Sequence, residues 1–302
     1  MSHTKVKIPP IKIQGIKTKL VPLIKSCAVV NKDTIWIEPF MGSGVVGLNV
    51  ADHNAIFADQ NPYIINFYNQ LRIGGIDSID VRGHLEKNGA LLSKDGADFY
   101  YFVRDRFNKQ HCPLDFLFLN RSCFNGMVRF NKNGGFNVPF GHKPDRFAKA
   151  YVTKIVNQVK HFEQKIKSSN WTFLCQPFEE TISLACDKSF IYCDPPYIGR
   201  HVDYYDSWDE DKENRLCMQL TAKGVKYMLS TWESNQFREN PYVNTVWSHC
   251  QKTVKEHFYF VGAKEANRNF VTEALLTNYK VAGTSDARQT HFYIEQLKLD
   301  YA

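Results

Sequence analysis

No stretch of this sequence is apolar for long enough to cross a bilayer. The longest clean hydrophobic run, Leu114 to Leu119, is already interrupted by Asp115, whereas a spanning helix needs about 20 apolar residues. The N-terminal MSHTKVKIPP is basic but has no apolar centre, so a signal peptide is not expected. The eight cysteines are scattered, without a CxxC pair or a paired Cys/His ligand spacing. That argues against a structural zinc site and a disulfide framework, and for a reducing cytoplasm. The ten histidines show no metal or catalytic-base spacing either. A GxxxxGK(S/T) loop is missing, which excludes a P-loop nucleotidase, and a missing GxGxxG leaves nothing to grip a pyrophosphate. Internal repeats and low-complexity linkers are also missing. What is present is 302 residues of 43% hydrophobic composition. That suffices for one large domain, or one domain carrying a substantial insertion. Lys plus Arg exceed Asp plus Glu by 38 to 31, an excess that permits a polyanionic partner without proving one.

The strand-like run Thr34 to Ile37 ends at Glu38. The turn Pro39-Phe40-Met41-Gly42-Ser43-Gly44 follows, then a helical start at Val45 to Val50. A second apolar run, Ala55 to Ala58, ends at Asp59. Strand, glycine turn, helix, strand and acid open a βαβ unit. From Tyr63 to about Ala150 the pattern becomes helical, with aromatics at helical spacing over Asp98 to Asn108 and a buried helix start at Leu114 to Leu119. Asn131-Lys132-Asn133-Gly134-Gly135 between short apolar flanks predicts a β-hairpin. A helix is expected over Tyr151 to Lys167. Strand-like runs return at Thr172 to Leu174, Phe190 to Cys193, Tyr227 to Ser230, His257 to Val261 and Ala274 to Thr277. The first three are expected to stop at polar or turn residues, as strands of an open α/β sheet do.

Two short motifs carry chemistry. The glycines of Gly42-Ser43-Gly44 let a ligand approach the backbone where strand gives way to helix. Asp59, at the next strand end, is placed to accept ribose hydroxyls. A nucleoside without phosphates, such as S-adenosylmethionine, fits this turn best; a tight turn beside an ordinary surface acid is an equally good reading of the turn alone. Asp194-Pro195-Pro196-Tyr197 directly follows the buried-looking Phe190-Ile191-Tyr192-Cys193. The prolines stop the strand. They leave a carboxylate, a backbone carbonyl and an aromatic face together, a set suited to a planar amino group. Asp194 and the Pro195 carbonyl would each accept one N–H of an exocyclic NH₂, and Tyr197 would stack on its ring.

In these motifs the chain resembles the Dam-type (class alpha) DNA adenine-N6 methyltransferases. Within that family it is most similar to the modification methylases of restriction systems that act on GATATC. The likeness runs through PPIKIQGIKTKLVP, IEPFMGSGVVGLNVA, DQNPYIINFYN, LDFLFLNRSCFNGMVRFNKNGGFNVPF and IYCDPPYIGRHVDYYDSW. It implies a Rossmann-like α/β methyltransferase sheet, residues 1–62 and 150–302, with an inserted, mostly helical target-recognition domain, 63–149, carrying the hairpin. It implies S-adenosylmethionine as methyl donor, leaving S-adenosylhomocysteine, with no metal. Double-stranded DNA is the implied partner, and a monomeric, cytoplasmic, nucleoid-associated enzyme is expected. Ile13 and Lys17 lie in the segment matching the family's KWAGGK, with Lys17 near the methionine carboxylate. Glu38, Phe40, Gly42 and Gly44 would line the methionine half. Asp59 and Gln60 would take the ribose side, and Phe178 the adenine, with Pro177 standing where the family usually has an acid.

The segment Asn120 to Lys149 is basic, with Asp145 its only acid and phenylalanines interleaved. By composition alone it is a solvated positive surface. The resemblance makes it the recognition hairpin: Arg129 would read the guanine of a GAT element, and Asn125, Phe124 and Pro139 would lie at the DNA backbone, the helix interior and the adjacent base pairs. Arg121, Met127, Asn131 and Lys132 complete the expected DNA-binding set. Arg104, Phe107 and Asn108 are read as packing and capping, Trp208 and Trp232 as core or rim, and Ile198 to Trp208 as a lid. Two other readings stay open: a methyltransferase for RNA adenine or cytosine N4, and a catalytically inactive DNA-binding protein.

Overall fold

The computed structural model describes residues 5–198, 208–235, 237–260, 268–281 and 290–291. Its centre is one sheet of strand order β3-β2-β1-β4-β5-β7-β6-β8. The strands are β1 (Ile35–Glu38), β2 (Asn54–Asp59), β3 (Asn170–Cys175), β4 (Ser189–Cys193), β5 (Lys226–Asn235), β6 (Gln251–Phe260), β7 (Arg268–Thr277) and β8 (Thr290–His291). From β3 to β5 neighbours run parallel; β7 is antiparallel to both β5 and β6, and β6 pairs β8 in parallel. The order reverses between β1 and β4, so the carboxyl ends of these two strands open a crevice between them.

The central strands are apolar because both faces are covered. Every residue of β4 is buried. Alternate side chains feed two cores: Trp36, Phe57, Phe190 and Tyr192 on one side, Ile37, Ile191, Cys193 and Leu229 on the other. A parallel sheet between helical layers demands this composition.

The helices are α1 (Val21–Cys27), α2 (Val45–Val50), α3 (Pro62–Ile73), α4 (Ser78–Gln110), α5 (Pro113–Ser122), α6 (Lys149–Lys167), α7 (Phe178–Ser183), α8 (Glu210–Lys223) and α9 (Pro241–Asn244). The connection from β2 to β3 holds α3 to α6; apart from Pro62, α3 to α5 fall within residues 63–149, and α6 follows them. Helix α4 breaks at Gly96, whose φ of 57° leaves the helical region. Asp77 caps its start with a reciprocal capping box, accepting from Ile79 and Asp80 N–H while Asp80 accepts from the Asp77 N–H. One apolar cluster runs from Trp36 and Phe57 of the sheet through Tyr68 and Phe162 to Phe107, Phe118 and Phe140 of the insertion.

Two local expectations change. The segment around Asn131–Gly135 turns back on itself, but as isolated antiparallel bridges, Phe130 with Phe136 and Cys123 with Phe140, rather than a ladder. Its closure comes from Asn131, whose side chain accepts the Asn133 and Gly135 N–H groups, and from Asn108, which exchanges two bonds with the Phe136 backbone. The strand expected to stop at Ser230 continues to Asn235, because β7 pairs with it as far as Val271. The His257 to Val261 run lies in β6 as far as Phe260; Val261, and residues 199–207 of the expected lid, lie outside the described residues.

Candidate active site

The crevice at the β1/β4 switch is a cavity of about 850 Å³. One wall is the turn after β1. Gly42 and Gly44 have φ of 49° and 75°, a conformation only glycine adopts without strain. Gly42 lines the cavity; Gly44 does not, and instead caps α2 against Met41 and Phe162. Asp59 holds this turn in place: its Oδ2 accepts the Gly42 N–H and its Oδ1 the Asn61 N–H, both at 2.9 Å. Burial raises the Asp59 carboxyl above its usual range, and the backbone donors oppose that shift. Each oxygen keeps a further lone pair for a ligand hydroxyl.

Glu38 also borders the cavity but is only 1% exposed. Burial pushes its carboxyl up to about 8, against the Trp36 Nε1–H bond of 2.9 Å, so it is largely protonated at neutral pH. Ile13, Phe40, Gln60 and Phe178 reach the same cavity. The Phe40 and Phe178 rings stack at 5.4 Å, and Trp208 touches both, at 5.4 and 5.5 Å. Trp208 is thus a wall of the site; in the sequence it stood as an undistinguished core or rim residue.

The opposite wall is Asp194 to Tyr197. Lys17 Nζ lies 2.8 Å from Asp194 Oδ1 and 5.0 Å from the centre of the Tyr197 ring. The Ser230 hydroxyl donates to the same Oδ1 at 2.9 Å. Both donors converge on one oxygen and leave Oδ2 as the acceptor available in the cavity. Burial raises the Asp194 carboxyl, while the Lys17 ammonium opposes it. Lys17, expected beside a methionine carboxylate, is therefore engaged with the DPPY acid. It reaches there because Asn120 clamps the backbone of Lys12 with two hydrogen bonds, of 2.8 and 2.9 Å.

The expected DNA-binding residues divide. Phe124, Asn125, Asn131, Lys132 and Pro139 are exposed. Asn125 takes a left-handed φ of 53°, and the Pro139 carbonyl accepts the Phe124 N–H, so these two ends of the segment are held together. Met127 lines the cavity together with Val128 and Phe130. Arg129 is half-buried, its Nε bonded to Asn137 Oδ1 at 2.8 Å. Arg121 is a correction. It is only 3% exposed, and its guanidinium donates to the Pro10 carbonyl, Tyr151 and Gln158. It ties the N-terminal segment to α6 instead of presenting a charge to a duplex. Asn131 likewise spends its carbonyl oxygen on the turn.

A strand-order reversal, a glycine turn with a strand-end acid, and a proline-fixed acid beside an aromatic meet in one cavity at the carboxyl ends of the strands, where α/β proteins bind their ligands. The chain belongs to the D12 class N6 adenine-specific DNA methyltransferase family, whose model matches residues 14–262. It is 38% identical over 198 residues to a DNA adenine methylase of Haemophilus influenzae, 63% of each chain. It is 37% identical over 220 residues to a DNA adenine methylase of Serratia marcescens, 67% of this chain and 76% of that one. Type II methyltransferase M.FokI of Planomicrobium okeanokoites is 29% identical over 283 residues, 89% of this chain and 42% of that protein. The chain spans less than two thirds of the length of the Haemophilus enzyme. Among the described residues no group of His, Cys, Asp and Glu could hold a metal ion, and no helix is long and apolar enough to cross a membrane.

Proposed function

We propose that this protein transfers a methyl group from S-adenosylmethionine to N6 of an adenine flipped out of a GAT-containing DNA duplex, with GATATC as the candidate site and modification within a restriction system as the setting. The observation that carries this reading is the Asp194 carboxylate. It is held at one oxygen by Lys17 and Ser230, with its other oxygen open to a cavity shared with the glycine turn.

The fit of the cofactor rests on the donor set. Asp59 keeps lone pairs for ribose hydroxyls, Phe40 and Phe178 offer aromatic faces, and Gly42 brings backbone close to the cavity. Bound there, S-adenosylmethionine supplies an electrophilic methyl group. The chain's own part is to make the adenine amine nucleophilic. That lone pair is delocalised into the ring; acceptors at Asp194 Oδ2 and the Pro195 carbonyl draw the two N–H groups toward a tetrahedral arrangement and localise it. Positioning and preorganised electrostatics supply the rate. Stacking on Tyr197 repays part of the cost of unstacking the base. Residues 63–149 serve as the recognition module, with Arg129 donating to guanine O6 and N7 from the turned segment. The chain acts as a monomer in the cytoplasm.

The test is transfer of labelled methyl groups from S-adenosylmethionine to duplex DNA, followed by methylation-sensitive sequencing. Methyl groups on adenine at GAT-containing sites support the reading. Transfer only to RNA or to cytosine, or DNA binding without transfer, refutes it.

A further inference from the structure

Behind the DPPY acid lies a second row of buried hydroxyls. Tyr192 and Ser230 are both fully buried. Tyr192 stands two residues before Asp194 at the end of β4, and Ser230 on the adjoining β5. Tyr192 Oη lies 2.9 Å from Ser230 Oγ, and Ser230 Oγ lies 2.9 Å from Asp194 Oδ1. The direction of this chain follows from proton counting. An ionised carboxylate only accepts, and a serine hydroxyl has one proton. Ser230 has a second acceptor in the Cys193 carbonyl at 3.5 Å, but Asp194 Oδ1 at 2.9 Å is nearer and charged; Ser230 donates there, and Tyr192 donates to Ser230. Burial holds the Tyr192 phenol well above its ordinary range, so that it stays a donor throughout the working pH. Its ring is fixed in turn by stacking on Trp36 at 5.7 Å.

We infer that Ser230 and Tyr192 are positioning residues for methyl transfer: a directional Tyr192–Ser230–Asp194 relay that, with Lys17, binds Oδ1 and so presents Oδ2 to the substrate amine in its ionised form. This rests on the methyl-transfer reading of the site. Neither hydroxyl touches the cavity. Without Ser230, the carboxylate rotates about its last bond and Oδ2 loses its fixed direction. It also loses a donor that favours its charged form. The groups facing Asp194 are Lys17 from the N-terminal segment, Glu38 of β1, Tyr192 and Cys193 of β4, Ser230 of β5 and Glu273 of β7. Lys17 and Ser230 favour its ionisation; Glu38 and Glu273 oppose it whenever they are charged. Losing Ser230 tips this balance toward the protonated acid, which cannot accept the amine N–H at the protonated oxygen.

The test uses the full chain and the variants Ser230→Ala, Ser230→Thr and Tyr192→Phe. Single-turnover methyl transfer is followed against pH on a duplex that the wild type methylates. Ser230→Ala should lose roughly 10- to 100-fold in rate, as expected for one hydrogen bond to a charged group. The acid limb of its profile should move to higher pH, while affinity for S-adenosylhomocysteine and duplex stays within about twofold. Tyr192→Phe should move both in the same direction by less, and Ser230→Thr, which keeps the hydroxyl, should restore the rate. A second measurement needs no turnover: the side-chain carboxyl of Asp194, labelled with ¹³C and assigned with Asp194→Asn, is titrated by NMR. Its midpoint should be higher in Ser230→Ala than in wild type. An unmoved midpoint, or a rate loss that merely tracks loss of cofactor binding, overturns the relay. A wild type that transfers no methyl group overturns the functional reading instead, and the titration still decides the relay.

Discussion

Replacing Glu38 by Gln tests the buried acid at the end of β1. Glu38 is 1% exposed, and burial pushes its carboxyl up to about 8 from an ordinary 4.5. The folded protein therefore holds this proton more tightly than the unfolded chain. The stabilisation is fully present below the ordinary range and is lost as pH rises toward 8. Each pH unit in that window removes about 1.4 kcal/mol. Between pH 5 and 8 the loss amounts to a few kcal/mol, a large part of a typical domain's ~5–15 kcal/mol. Glutamine has nearly the same shape, keeps an oxygen for the Trp36 indole N–H, and carries no proton to lose. Urea unfolding of both proteins at half-unit steps from pH 5 to 8.5 measures the effect. Groups that titrate elsewhere are common to both and cancel in the difference. The stability difference, Gln variant minus wild type, should grow by about 3–4 kcal/mol across the range. Two parallel curves would mean that Glu38 is ionised in the folded state and that the burial argument fails.

Lys17→Met should destabilise the fold by about 3 kcal/mol, the lower end for breaking a buried pair because Asp194 keeps 21% exposure; chemical denaturation checks this. Asp59→Ala removes the acceptor of the Gly42 and Asn61 N–H groups. Calorimetry should show affinity for S-adenosylhomocysteine falling roughly 10-fold or more, with cofactor-free DNA affinity unchanged. Arg129→Ala should cut the preference for guanine at one site position about 5- to 150-fold; methylation rates on substituted duplexes read this, and equal slowing on all of them would make Arg129 a phosphate contact. Gly47→Ala would place a Cβ 2.1 Å from the Phe57 ring and 2.6 Å from Glu38 Oε2. Overpacking of this kind costs about 1–3 kcal/mol, which a thermal melt would register.

Much of the frame was legible along the chain because it is local. Largely apolar runs of four residues, ending before Glu38, Asp59 and Asp194, mark strands buried on both faces. Gly42 and Gly44 mark a turn that needs positive φ, and Pro195 and Pro196 mark where a strand must stop. These features depend on neighbours in sequence, so they survive without knowledge of the fold. The charges and polar side chains that meet at the site do not. Lys17 and Asp194 are separated by 177 positions, Ser230 joins them from the next strand, and Trp208 closes on Phe40 from beyond the DPPY segment. Asp194 and Lys17 stand in recognisable segments, but nothing local shows that they pair with each other, and nothing local marks Ser230 or Trp208 as their neighbours. Arg121 shows the converse: its place in a basic segment suggested a duplex contact, but the Pro10 carbonyl and Gln158, brought to it by the N-terminal segment and α6, consume its donors in the interior. Composition and period therefore determined which segments would be strands, turns and helices, whereas only the packed structure decided which charges are neutralised inside and which oxygen of Asp194 is engaged by Lys17 and Ser230. The reason is that hydrogen-bond partnership and desolvation depend on distances in space, and a periodic pattern along the chain carries none of those.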